Sequence, residues 1–249
     1  MSQLRTAVLN CLGLLLMSSL GVQGTAQDIP VEFTNLQILP KGIPRQDLMA
    51  DMRGFALGLG VRCNYCHAPG QKPGTMDFAS DDLPPKRTAR IMLRMTADIN
   101  HNYVAGVTQA TTVECVTCHR GSAKPRTLQV ILSETIDQGG LASAVSQYRQ
   151  LRKENYGNGK FDFSESSLNL LSESLLKKGK AKEAAGIMEL NAEVNSPLTR
   201  WGYGCLALSH QANQEIQKAE LDFKKILELD PHDAWASDQL KSIRSAAKH

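Results

Sequence analysis

Two five-residue strings in this 249-residue chain carry the residue types most suited to chemistry: Cys63-Asn64-Tyr65-Cys66-His67 and Cys115-Val116-Thr117-Cys118-His119. Cysteines three apart on one turn present both sulfurs to the same side, where they can form thioethers with the two vinyl groups of a porphyrin. The histidine that follows then points across the ring to the iron, so the pattern reads as c-type haem attachment. Three other chemistries use similar residues. Zinc sites rarely carry histidine directly after the second cysteine, and two identical motifs about fifty residues apart fit no common zinc spacing. A thioredoxin-like redox pair needs a strand-to-helix setting, which neither motif has. Two small disulfide loops would not require the histidines. The duplicated motif therefore predicts two covalently bound haem c groups, held by Cys63 and Cys66 and by Cys115 and Cys118, with His67 and His119 as iron ligands.

Each iron then needs a sixth ligand, and the elements upstream of the motifs must supply it. From Pro44 to Gly60 the spacing predicts a helix, with Leu48, Met52, Phe55 and Leu59 on one face and glycines at its end. A second helix opens at Pro84-Pro85 and runs toward Tyr103, with Ile91, Met92, Met95 and Ile99 on one stripe. Methionine on an apolar stripe is commonly core filler. Over a haem, its thioether is a usual partner for histidine in electron carriers, where it raises the potential. His101 and Met76 fall outside both stripes. The basic side chains Lys86, Arg87, Arg90 and Arg94, with Arg120, Lys124 and Arg126, are candidates for haem propionate contacts or for solvated helix surface.

Compartment follows from the N-terminus and the cysteines. Residues 1–26 read as an export signal: Arg5, an apolar run from Ala7 to Leu20, then small residues at Gly24 and Ala26. The run is shorter than the ~20 residues of a spanning helix, which leaves an uncleaved anchor as the minor alternative. Cys11 lies inside that run and Cys205 stands alone, a candidate buried hydrophobe. The expected location is the periplasm. A net charge of +3 is too small to mark a nucleic-acid binder, and 42% hydrophobic with 21% charged residues is an ordinary soluble composition.

The strings Met52-Arg53-Gly54-Phe55 and Leu59-Gly60-Val61-Arg62-Cys63, then Met92 to Asn100 and Cys115 to Gly121, resemble the haem units of the photosynthetic reaction-centre cytochrome c subunit family. The resemblance covers about residues 33–128. Position by position it implies Met52 and Met92 as the sixth ligands, with Met95 as packing. Reaction-centre members carry four haems and place a histidine before the second motif. This chain has two motifs and Gly106 at that position, which implies a two-haem relative.

After Gly139 the chain changes character. A period of 34 matches Ala185 to Ala219 and Pro197 to Pro231, the small residue and closing proline of tetratricopeptide-like helix pairs. Residues 164–197 and 198–231 are the two repeats, Ala234 to Ala246 a closing helix, and Leu141, Val145, Tyr148 and Leu151 an added helix before them. The expected architecture is mainly α: a dihaem cytochrome c domain over 27–137, which uses porphyrin as much of its core, and a helical repeat solenoid over 138–249. The expected function is transfer of single electrons between redox partner proteins, with the repeats for docking or as a spacer, association with a membrane complex, and no nucleic acid. No acid/base constellation suggests an enzyme. The alternative is a peroxidase-like dihaem enzyme with one open iron position.

Overall fold

The computed structural model describes residues 30–107 and 112–246, so the expected export signal, with Cys11, lies outside the described residues. The described chain is mainly α-helical and falls into two compact units, one of residues 30–42 and 63–91, the other of residues 43–62 and 92–246.

The first unit is built around a loop held by charge. Strands β1 (Ala68–Pro69) and β2 (Met76–Asp77) form a short antiparallel hairpin after the first motif. Helix α2 (Pro84–Ile99) then begins, with prolines in its first turn where no intrahelical N–H is needed. Its Lys86 is buried, and the ammonium donates to the carbonyls of Phe78, Ala79 and Ser80 at 2.8, 3.0 and 2.6 Å while lying 3.1 Å from Asp81. Arg90 donates to Asp81 at 2.6 Å, and Arg87 to the carbonyls of Asp81 and Asp82. These three bases, read in the sequence as propionate or surface residues, instead close the loop 77–82. Arg90 most of all, with Lys86 and Asn35, holds the Asp81 carboxyl well below the usual carboxylate range.

In the second unit, α1 (Arg45–Leu59) ends in a Schellman cap: Gly60 adopts φ 66°, its N–H donates to Leu57, and Val61 N–H donates to Ala56. The later part of α2 continues as one π-helical turn, Asn100–Val104, which carries the exposed His101. Helix α3 (Cys115–His119) packs against α1. Helix α4 (Leu128–Asn155) is broken at Gly140, φ 76°, into two legs. It is followed by α5 (Glu165–Lys177), α6 (Ala181–Val194), α7 (Arg200–Ala212), α8 (Ile216–Leu229) and α9 (Ala234–Ala246).

Both legs of α4 enter one core. Leu128, Leu132 and Ile136 of the first leg and Ala144 and Tyr148 of the second pack with Leu168, Leu171 and Leu175 of α5 and Ile187 and Leu190 of α6. The junction drawn from sequence between residues 137 and 138 thus falls inside α4. The two expected repeats are joined by a third helix pair, which matches the roughly three units such an array needs. The 34-residue period has a visible bond: Glu165 at the head of α5 accepts from Thr199 N–H and Oγ1 at 2.8 and 2.6 Å, one repeat later. Cys205 is buried beside Met188, Leu198 and Leu206, and burial with the Glu173 carboxylate nearby pushes its thiol up to about 12, as suits an inert core residue.

Candidate haem sites

The first motif forms a 3₁₀ turn, Cys63–Tyr65, closed by Cys66 and His67 N–H groups on the Cys63 carbonyl at 3.2 and 3.0 Å. Such a turn puts both sulfurs on one side. His67 packs edge-on to Phe78, ring centroids 5.0 Å apart, and its Nδ1 is buried without a hydrogen bond. Burial, reinforced by the Lys86 ammonium, lowers the imidazole's pKa and keeps it neutral, the form that can donate a lone pair to a metal.

The second motif is α3 itself. Glu114 and Thr117 make a reciprocal capping box at its start, and Arg120 (φ 47°) and Gly121 (φ 76°) turn the chain left-handed at its end. That turn carries Ser122 back so that its carbonyl accepts from His119 Nδ1 at 2.8 Å. A proton held on Nδ1 leaves the Nε2 lone pair free and fixes the ring, which is how proteins prepare histidine for a metal.

Helix α1 is held against this second motif at glycine-only distances. Gly121 N–H donates to Gly58 O at 2.9 Å. A Cβ on Gly58 would lie 3.1 Å from Val116 N, and one on Gly60 would lie 2.2 Å from Gly121 O. The sequence marked these glycines only as a helix end. Their role as a seat for α3 depends on a partner 57 or more residues away, so no local pattern signals it.

The apolar accounting shows what the region is built to hold. Among the described residues before Leu128, the buried hydrophobic side chains are Leu48 and Ala68. Leu57 is 78% exposed, Ile91 60% and Met95 44%, with Met92, Tyr65 and Val116 also exposed. A polypeptide of this size does not fold around two buried side chains, so another apolar body must supply the core. The cysteines fit that body. None of the four is in a disulfide, and burial raises the pKa of Cys66 and of Cys115, the reverse of an activated redox dithiol. None of them belongs, among the described residues, to a cluster of metal-ligating atoms of the kind zinc requires. Paired cysteines outside any disulfide, a prepared histidine and an exposed apolar surface fit covalently attached haem.

Residues 32–184 match the photosynthetic reaction centre cytochrome C subunit family, more than half of the chain. The chain belongs to that family. Reaction-centre cytochrome membership implies covalently bound haem c and a haem electron-transfer role. Among curated relatives, cytochrome c-554 of Chloroflexus aurantiacus is 35% identical over 91 residues, covering 35% of this chain and 20% of the relative. The photosynthetic reaction center cytochrome c subunit of Rubrivivax gelatinosus is 30% identical over 119 residues, covering 38% of this chain and 31% of the relative. The chain thus spans about a fifth to a third of these relatives' length. Among solved structures, the first tetratricopeptide domain of Spaghetti (RPAP3) bound to an HSP90 peptide covers 49% of this chain and 94% of its own, at 18% identity. Its TM-score of 0.35 is too low to carry an argument. The reaction-centre cytochrome match runs past Leu128 through α4 and α5 into the first turn of α6, so it includes the start of the array. Among the described residues no helix is long and apolar enough to cross a membrane.

Proposed function

We propose that the chain is an exported dihaem c-type cytochrome that passes single electrons between protein partners in the periplasm. Cys63 and Cys66 would hold one haem with His67 as proximal ligand, and Cys115 and Cys118 the other with His119. Met52 and Met92 would supply the sixth ligands. The haem iron, when bound, supplies the one-electron couple, cycling between ferrous and ferric.

The observation that carries this reading is the sparse polypeptide core among the described residues before Leu128 beside two sets of paired cysteines and histidine. The chain's own residues do the rest. The Ser122 carbonyl holds the proton on His119 Nδ1 and so keeps Nε2 a donor. The Lys86 ammonium, tied to three carbonyls, keeps the loop beside His67 closed, and burial, with this ammonium second, keeps the imidazole neutral. Methionine ligation at both irons would leave no open position for a substrate, which separates an electron carrier from a peroxidase-like enzyme.

The domain boundary is best set at Thr127, the N-cap of α4, whose hydroxyl accepts from Val130 N–H. The helical array that begins there is the docking element for a redox partner or membrane complex. A redox titration with optical spectra of the holoprotein tests the function. Two reversible one-electron couples with low-spin, six-coordinate spectra support it. A high-spin haem that binds peroxide or cyanide at once would favour the enzyme.

A further inference from the structure

The array holds a polar cluster that neither haem motif uses. His210, near the end of α7, is 4% exposed, and its Nδ1 lies 2.6 Å from Asp222 Oδ2 on α8. Its Nε2 is buried and makes no hydrogen bond. The facing atom is Glu189 Oε1 on α6, at 3.5 Å, too far for a sound N–H···O bond. Glu215, the residue that opens α8, completes the group: one ligand atom each from Glu189, His210 and Glu215 lie within 4.8 Å of one another.

The backbone is shaped to make this meeting. Gln214 takes φ 63°, an unusual value for a residue other than glycine, and so folds the chain until Glu215 N–H donates to the His210 carbonyl at 2.8 Å. Asn213 Nδ2 then fixes the Glu215 carboxylate through Oε2 at 2.9 Å. Between the two glutamates sits a cation already: Lys218 Nζ lies 2.7 Å from Glu189 Oε1 and 2.8 Å from Glu215 Oε1. Lys218 is half-exposed on a flexible stem, so it can leave this position to a more highly charged ion.

We propose that Glu189, His210 and Glu215 bind a divalent transition-metal ion, for which this imidazole and carboxylate donor set favours zinc, and that the ion pins α6, α7 and α8 together. Asp222 plays the supporting part of the carboxylate–histidine–metal arrangement, holding the proton on Nδ1; the neighbouring carboxylates raise the imidazole's pKa, so the incoming ion displaces the Nε2 proton and takes its lone pair. Zinc bonds of about 2.0–2.2 Å would draw the three ligand atoms inward from their present spread, within reach of side-chain rotation. Three protein ligands leave one position for water.

The test uses the full-length protein made with its haem-attachment machinery, stripped with a chelator and titrated with zinc chloride by calorimetry. The expected result is one zinc per chain with micromolar or tighter affinity, nitrogen and oxygen but no sulfur in its X-ray absorption first shell, and a raised unfolding midpoint for the array. Glu215→Gln and His210→Ala should each weaken binding at least tenfold, and Lys218→Met should leave it equal or tighter. Glu215 is only partly buried, unlike His210, so its isosteric variant decides the matter if His210→Ala does not fold. No binding below millimolar zinc, a sulfur-containing shell, or unchanged affinity in Glu215→Gln would overturn the proposal, leaving the cluster an ion-pair network alone.

Discussion

Gly60→Ala probes the seat of α1 on the second motif. Two penalties follow from the structure. An alanine at φ 66° meets the left-handed cost of about 1–2 kcal/mol. Its Cβ would also stand 2.2 Å from Gly121 O, so the two segments must part by about 1 Å to reach ordinary contact. That parting breaks the 2.9 Å bond from Gly121 N–H to Gly58 O and leaves shielded groups unpaired, a further roughly 1–3 kcal/mol. Gly121→Ala is the control: φ is 76°, yet its Cβ meets nothing within 4 Å, so the conformational cost stands alone. Denaturant unfolding of the two full-length holoproteins, followed by circular dichroism and haem absorbance, should place Gly60→Ala about 1–3 kcal/mol below Gly121→Ala. Gly60→Ala should also perturb the methionine-to-iron absorption. Equal stability of the two variants, within about 0.5 kcal/mol, would refute the claim that α1 and the second motif meet at glycine-only distance.

Replacing Met52 by histidine should lower the first haem's potential, since imidazole does not favour ferrous iron as a thioether does. Met92→Leu should abolish one methionine-to-iron band where Met95→Leu leaves both, and the reverse pattern would reassign the ligand. Leu132→Ala, at a fully buried site, should cost the array about 2–5 kcal/mol with haem spectra unchanged. Asp81 has its pKa lowered by Arg90 and Lys86, so its pairing is in force above the ordinary carboxylate pKa and is lost only as pH falls toward the depressed value. Protection of the loop 77–82 against amide exchange should therefore persist through pH 4 and fail below it, and Asp81→Asn should remove that acid dependence.

Both upstream helices and the closing helix were legible because each is written locally, as are the two Cys-x-x-Cys-His strings. Cysteine spacing, a 3.6-residue stripe and a 34-residue period need no knowledge of distant residues. Helix α9 covers the expected 234–246, and α1 and α2 begin where Pro44 and Pro84 place them. What escaped depends on partners. Lys86 and Arg90 looked like surface charge because their work, holding Asp81 and three carbonyls, appears only when the loop folds back on α2. The boundary expected near 137 rested on the change in periodicity from Gly139, and local pattern does not show how the chain turns at Gly140. The break folds α4 on itself and sends both legs into one core. The cluster of Glu189, His210 and Glu215 draws one residue from each of three successive elements, at spacings that match no metal motif.

The central claim is that two haems are covalently held and complete the core before Leu128. The intact mass of the full chain, made with its maturation system and measured after acid-acetone extraction, tests it most directly. The account predicts the polypeptide mass plus two haem groups, reduced to one by Cys63→Ser with Cys66→Ser and to the other by Cys115→Ser with Cys118→Ser. A mass equal to the polypeptide alone, or haem released wholly into the acetone, would contradict it.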